Sequence, residues 1–201
     1  MKGKQNAIGL LVLLVVFLFG WTICADESFS EDNSFPSPIG FGIISPVQYP
    51  GAEADVMGFR LSLAYGQNAN VSGLDFGVFG CRVDGCLFGL QTSAIMNHVG
   101  SASGALQIAG VGNHCLEDYF GVQVAGIANM TEGYVYGGQI SSFNIARDVS
   151  GLQIGAYNQA DNAAGIQIGV INYANDMQGI QIGLFNIIRQ GIWMPVINMK
   201  F

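Results

Sequence analysis

Three stretches, Gly151-Leu-Gln-Ile-Gly-Ala-Tyr-Asn158, Gly165-Ile-Gln-Ile-Gly-Val-Ile-Asn172 and Gly179-Ile-Gln-Ile-Gly-Leu-Phe-Asn186, follow one another at a spacing of 14 residues. The template continues upstream, where Gly137-Gly-Gln-Ile leads to Asn144. Copies starting at Gly89, Ala105 and Gly121 are spaced by 16 and carry one extra residue before Asn97, Asn113 and Asn129. Gly58-Phe-Arg-Leu and Gly73-Leu-Asp-Phe are degenerate copies, and Gly191-Ile-Trp-Met to Asn198 reads as the closing one. About ten units fill residues 58–201, which leaves no room for a second domain. A fixed period of this kind is the mark of a repeat architecture, in which each unit buries its apolar face against its neighbours.

Within a unit, apolar residues alternate around the Gln, β-branched and aromatic residues are enriched, and a polar turn-like cluster such as Asp161-Asn162 or Asn175-Asp176 follows. This pattern predicts a short strand and a turn, repeated. The expected fold is an all-β solenoid with 14–16 residues per coil. Equivalent positions then stack about 4.8 Å apart. Leu152, Ile166 and Ile180 are expected to form one internal ladder and Ile154, Ile168 and Ile182 another. Stacked amides can hydrogen-bond along the axis, which gives Asn158, Asn172 and Asn186 a structural role at the turn. Gly151, Gly165 and Gly179 are expected where the backbone needs positive φ or close packing of coils. Gln153, Gln167 and Gln181 are expected to form an outward row available for binding.

The alternative is an antiparallel barrel of outer-membrane type, supported by the aromatic-ended close Trp193, Met199 and Phe201. Parity weighs against it. With two-residue hairpin loops an even repeat puts successive copies of one position on opposite faces, and the core face is scrambled.

The 201 residues include 7 Lys+Arg against 14 Asp+Glu, for a formal net charge of −7, and 29 Gly. An acidic chain has no electrostatic footprint for nucleic acid. Low charge with high apolar content is the reverse of the disordered signature. Residues 1–25 read as a secretory signal peptide: Lys2 and Lys4, an apolar run from Ala7 to Trp21, and a small residue, Ala25, before Asp26. Residues 26–57 form an acidic, Pro-containing segment expected to act as a tether. Export permits disulfides, and Cys81 and Cys86 flank a turn-like Arg82-Val83-Asp84-Gly85, so they are the expected pair.

The tandem Gly-Leu/Ile-Gln-Ile-Gly-x-x-Asn units, the preceding Pro46-Val-Gln-Tyr-Pro50 and Gly58-Phe-Arg-Leu-Ser-Leu-Ala-Tyr-Gly66, and the closing Pro195-Val-Ile-Asn-Met-Lys-Phe201 resemble a bacterial family of exported surface-repeat proteins. The similarity covers roughly residues 39–201. It implies an envelope location and no particular reaction. Some relatives are lipoproteins, but Trp21-Thr22-Ile23 before Cys24 departs from the small residues of a lipoprotein signal.

Motifs of catalysis are missing. The chain has no Gly-x-Ser-x-Gly elbow and no phosphate-cradling loop. His98 and His114 occupy equivalent positions 16 apart, beside Cys115 in sequence, and a solenoid stacks them. Without a third firm ligand they are expected to be turn residues, with no metal and no cofactor bound. An acid pair without a recognised motif, for example Glu117-Asp118 with Asp84, is the remaining route to catalysis, and nothing nominates a substrate. The functional expectation is a non-enzymatic structural or interaction protein of the bacterial cell envelope, in the periplasm, outer membrane or cell surface. Its partner is expected to be an envelope polymer or protein, or a second copy of itself, with membrane association open. The alternative is a small outer-membrane pore.

Overall fold

A computed structural model describes residues 35–189, 191 and 193–200. The leader, the acidic stretch up to residue 34 and Phe201 lie outside the described residues. The strands are β1 (Ser37–Ile44), β2 (Val47–Tyr49), β3 (Val56–Asn68), β4 (Val71–Gly77), β5 (Gly80–Ser93) and β6 (Met96–Ala109). They continue as β7 (Gly112–Cys115), β8 (Tyr119–Ala125), β9 (Ala128–Ile140), β10 (Phe143–Ile188) and β11 (Met194–Lys200), and no helix occurs among the described residues.

The molecule is a β-solenoid. β3 pairs parallel with β4 through Gly58↔Gly73 and Arg60↔Asp75, β4 with β5 through Gly73↔Gly89, and β5 with β6 through Gln91↔Gln107. β8 continues the stack between β6 and β9, and β10 lies parallel on β9 with Gln153↔Gln139. β10 then winds upon itself at the 14-residue repeat, as the 14-residue bonds Gln167 to Gln153 and Asn158 to Asn172 record. Parallel stacking keeps every copy of a position on one face whatever the parity of the repeat, which is why the barrel alternative fails. Antiparallel pairing is confined to the two ends. β2 folds back on β1 through Phe41↔Tyr49, and β11 returns along β10 through Gln181↔Asn198. In place of the expected last coil at Gly191–Asn198, Met194–Lys200 is a reversed capping strand. In the same way, residues 37–49 of the expected tether are strands that close the other end.

The orientation of the faces is the reverse of the expected one. Gln167 is 1% exposed, while its flanking Ile166 and Ile168 are 41% and 37% exposed. The expected internal ladders of Leu152, Ile166 and Ile180 and of Ile154, Ile168 and Ile182 thus lie on the outer surface. The interior holds two apolar columns and two amide columns. One apolar column runs Val56, Val71, Leu87, Ala102, Tyr119, Val135, Val149 and on to Ala163 and Met177. The other runs Val83, Val99, Cys115, Thr131, Ala146, Ala160, Ala174 and Ile188. Alternation fixes which residues share a face but not which face is inside. The inside is decided by whether the polar groups can be satisfied there.

Gly165 shows why the strand-start glycines recur. Its φ is +138°, a region open essentially to Gly, and a Cβ there would lie 2.1 Å from the Gly151 carbonyl oxygen of the coil beneath. Gly169, at the other recurring position, has no such φ, but its Cβ would meet the Gly155 oxygen at 2.3 Å. Gly165→Ala is expected to cost about 2 kcal/mol or more, whereas the exposed Ala156→Ser changes stability by no more than about 0.5 kcal/mol. Denaturant melts of the two variants check this, and equal midpoints would contradict the close stacking.

Candidate functional site

The amide columns are the strongest organised chemistry in the molecule. In the first, Gln181 Nε2 donates to Gln167 Oε1 at 2.7 Å, Gln167 to Gln153 at 2.7 Å, Gln153 to Gln139 at 2.9 Å and Gln139 to Gln123 at 2.9 Å. Gln123 donates to Gln107 at 3.0 Å and Gln107 to Gln91 at 2.7 Å. Gln91 ends the series by donating to Asp75 Oδ2 at 2.8 Å. Asp75 in turn takes a two-point contact from Arg60, Nε to Oδ1 at 2.7 Å and Nη2 to Oδ2 at 2.5 Å, with both side chains buried. Such a bidentate pair leaves little of either charge unsatisfied, as burial requires.

The Asn column runs the other way. Asn97 Nδ2 donates to Asn113 Oδ1, and the series continues through Asn129, Asn144, Asn158 and Asn172 to Asn186 at 2.8–3.1 Å. The second Nδ2 hydrogen of Asn144, Asn158 and Asn172 goes to the main-chain oxygens of Ile154, Ile168 and Ile182. Asn158, Asn172 and Asn186 therefore stack as expected. Gln153, Gln167 and Gln181 also stack, but inside, and are no outward binding row. An isolated buried carboxamide is costly; a column of them satisfies all but the groups at its ends. The unpaired acceptors are Asn97 Oδ1 and Gln181 Oε1, one at an end of each column.

The expected Cys81–Cys86 bridge is not formed, because Cys81 is a free, buried thiol. Arg82 to Gly85 is no hairpin turn but a stretch of β5 in which Arg82 and Val83 pair with the adjacent coils and the register shifts before Cys86. Cys81 points inward, its Sγ 3.4 Å from Asp75 Oδ1. Burial, reinforced by that carboxylate, pushes its pKa above the usual thiol range. Cys115, also free and buried, is pushed up to about 12 by burial.

His98 and His114 stack as expected, with Nδ1 atoms 3.2 Å apart, and His114 Nε2 lies 3.2 Å from Glu132 Oε1. Cys115 does not join them. Its Sγ turns inward, 3.5 Å from the Gly100 oxygen. No group of three or more His, Cys, Asp or Glu side chains that could hold a metal occurs among the described residues. The acids weighed for catalysis are engaged separately. Asp84 takes bonds from Arg82 Nε and Gln67 Nε2, and Asp118 takes one from the Tyr134 amide.

Two features were not singled out from the sequence. Arg60 and Asp75 stand in the Gln slot of the degenerate units, a departure that the template itself displays. A run of aromatic rings, Phe120, Tyr134 and Tyr136, lies on the surface of β8 and β9.

Burial, then repulsion of an imidazolium by Arg82 and by the neighbouring His114 ring, hold the His98 pKa below its ordinary value, with Asp84 and Glu132 opposing. The unfolded chain therefore takes up the proton first as pH falls below about 6.5, and stability is lost from there downward. The wild-type melting temperature is expected to fall more between pH 7.0 and 5.5 than that of His98→Gln. Parallel pH profiles would contradict this assignment. Comparison of the chain with protein-family models, with curated proteins and with solved structures returns no match.

Proposed function

We propose that the chain is a non-enzymatic structural or interaction protein of the bacterial cell envelope that works as a self-associating scaffold. The observation that carries this reading is the outer sheet face. It is built from the row Phe59, Leu74, Leu90, Leu106, Val122, Gly138, Leu152, Ile166 and Ile180 and the parallel row containing Ile108, Ile140, Ile168 and Ile182. No charged side chain interrupts either row between residues 74 and 182. Single exposed apolar residues are ordinary, whereas a contiguous face marks an interaction surface.

Its surroundings favour a second copy as the occupant. Eight strand spacings of about 4.8 Å give about 40 Å of height, and two rows set two residues of about 3.3 Å apart, with the breadth of their side chains, give about 10 Å of width. The resulting stripe of about 400 Å² per partner is the size of a weak, reversible contact. The net charge of −7 offers no attraction to anionic lipid. The ends of the solenoid discourage growth by strand addition, since Pro195 and Lys200 lie on β11 and Pro46 and Pro50 flank β2. Association is thereby directed to the face, which two copies can share with closed symmetry. The resemblance to exported surface-repeat proteins and the signal-peptide pattern support the envelope location. A pore is not supported, because the interior is occupied by the four side-chain columns.

Sedimentation equilibrium of the chain tests this. A dimer is expected for the wild type and a monomer of unchanged circular dichroism for the double variant Ile166→Lys/Ile168→Lys. A monomeric wild type, or a double variant that remains dimeric, would overturn the reading. So would a monomer that co-sediments with phosphatidylethanolamine vesicles, which would assign the face to lipid.

A further inference from the structure

A second surface feature lies where the repeat shortens from 16 to 14 residues. There one outward column passes from Phe120 to Tyr136 to Ser150. The Phe120 and Tyr136 rings are stacked, with centroids 4.6 Å apart and planes 9° from parallel, and Tyr134 extends the aromatic surface with its centroid 5.8 Å from that of Tyr136. One face of Tyr136 is thus covered by Phe120. The other looks toward the coil carrying Ser150, whose side chain is too short to cover it. Beyond this step lies an open groove of about 450 Å³, lined by Tyr134, Tyr136, Asp148, Ser150, Asn162 and Gln178 among others. That volume lies in the range of small-ligand sites.

The groove is polar but close to electrically balanced. Arg147 Nε is 3.2 Å from Asp148 Oδ2 and lies over the Tyr134 ring, and Lys200 pairs with Asp176 at the far wall. Asn162 Nδ2 donates to Asp148 Oδ1 at 2.5 Å, which fixes the carboxamide at the groove wall. An uncovered aromatic face attracts the weakly positive axial C–H groups of a flat saturated ring. The surrounding hydroxyl, carboxamide and carboxylate groups match alternating hydroxyl donors and acceptors. Phosphate- or uronate-bearing ligands gain no net attraction from the paired charges of the groove and are disfavoured by the acidic chain as a whole.

We propose that this groove binds a neutral hexopyranose chain, with one sugar ring seated on Tyr136 and its hydroxyls bonded to Ser150, Asn162, Gln178 and Asp148. The proposal rests on the reading of the chain as an interaction protein and names the polymer it meets. It is independent of the apolar sheet face, to which none of these residues belongs.

Isothermal titration with cellohexaose, maltohexaose and N-acetylchitohexaose, with polygalacturonate as the acidic comparison, tests it. At least one neutral hexamer is expected to bind, and Tyr136→Phe keeps that binding while Tyr136→Ala weakens it at least tenfold. Ser150→Phe continues the aromatic column over the open ring face and is expected to abolish binding with the fold intact, which guards against a misfolded Tyr136→Ala. Absence of binding by all three hexamers, equal or tighter binding of polygalacturonate, or binding that survives Ser150→Phe would overturn the proposal. Sedimentation of the same samples separates the two readings. Loss of saccharide binding in a protein that still dimerises counts against the groove alone, and saccharide binding by a monomer counts against the sheet face alone.

Discussion

A carboxamide donates and accepts at once, and at a strand spacing of about 4.8 Å it can do both with copies of itself. The solenoid depends on that match. The Gln column passes its hydrogen bonds toward the N-terminal end and the Asn column toward the C-terminal end, so their dipoles oppose and the long axis carries little net field. Chains of such bonds polarise one another in a low dielectric. The donating end of the Gln column meets Asp75, a carboxylate, which is the charge such an end favours. Arg60 then neutralises it. Without this terminator a buried N–H of Gln91 would be left unmet, at about 1–3 kcal/mol.

Filling the interior with amides has a consequence for the exterior. The side chains that alternate with buried Gln must face out, and here they are Leu, Ile and Val. The protein therefore presents apolar rows to its surroundings without any defect in its core. Where the repeat shortens and an aromatic column stops at Ser150, the same stacking leaves a ring face uncovered. Both surfaces follow from coil register, one from the alternation it preserves and the other from the shortening after Gly137.

Much of this was legible from the repeat. Even spacing with a fixed Gly-x-Gln-x-Gly frame gave the stack, the Asn column and the need for Gly at 151, 165 and 179. The side of the Gln row was not legible, because alternation is symmetric between faces and the usual rule places aliphatics inside. That rule presumes that a buried amide lacks partners, which one unit viewed alone suggests and the assembled column refutes. The state of Cys81 was not legible because Arg82-Val83-Asp84-Gly85 has turn-like composition, whereas parallel pairing of Arg82 and Val83 with the adjacent coils carries the chain onward along the coil and turns Cys81 inward. The reversal at β11 was hidden because residues 191–198 imitate the template. The groove has no motif, since it is made by a missing side chain at Ser150 and by residues from three coils.

The placement of the carboxamides inside the coil is the central claim, and hydrogen exchange of side-chain amides measured by NMR addresses it most directly. The Nε2 protons of Gln153, Gln167 and Gln181 and the Nδ2 protons of Asn158 and Asn172 are expected to be protected on the scale of the main-chain amides around them. Exposed Gln178 should exchange at the rate of a free side chain. Rapid exchange at Gln153, Gln167 and Gln181 together would contradict the buried column and restore the outward row.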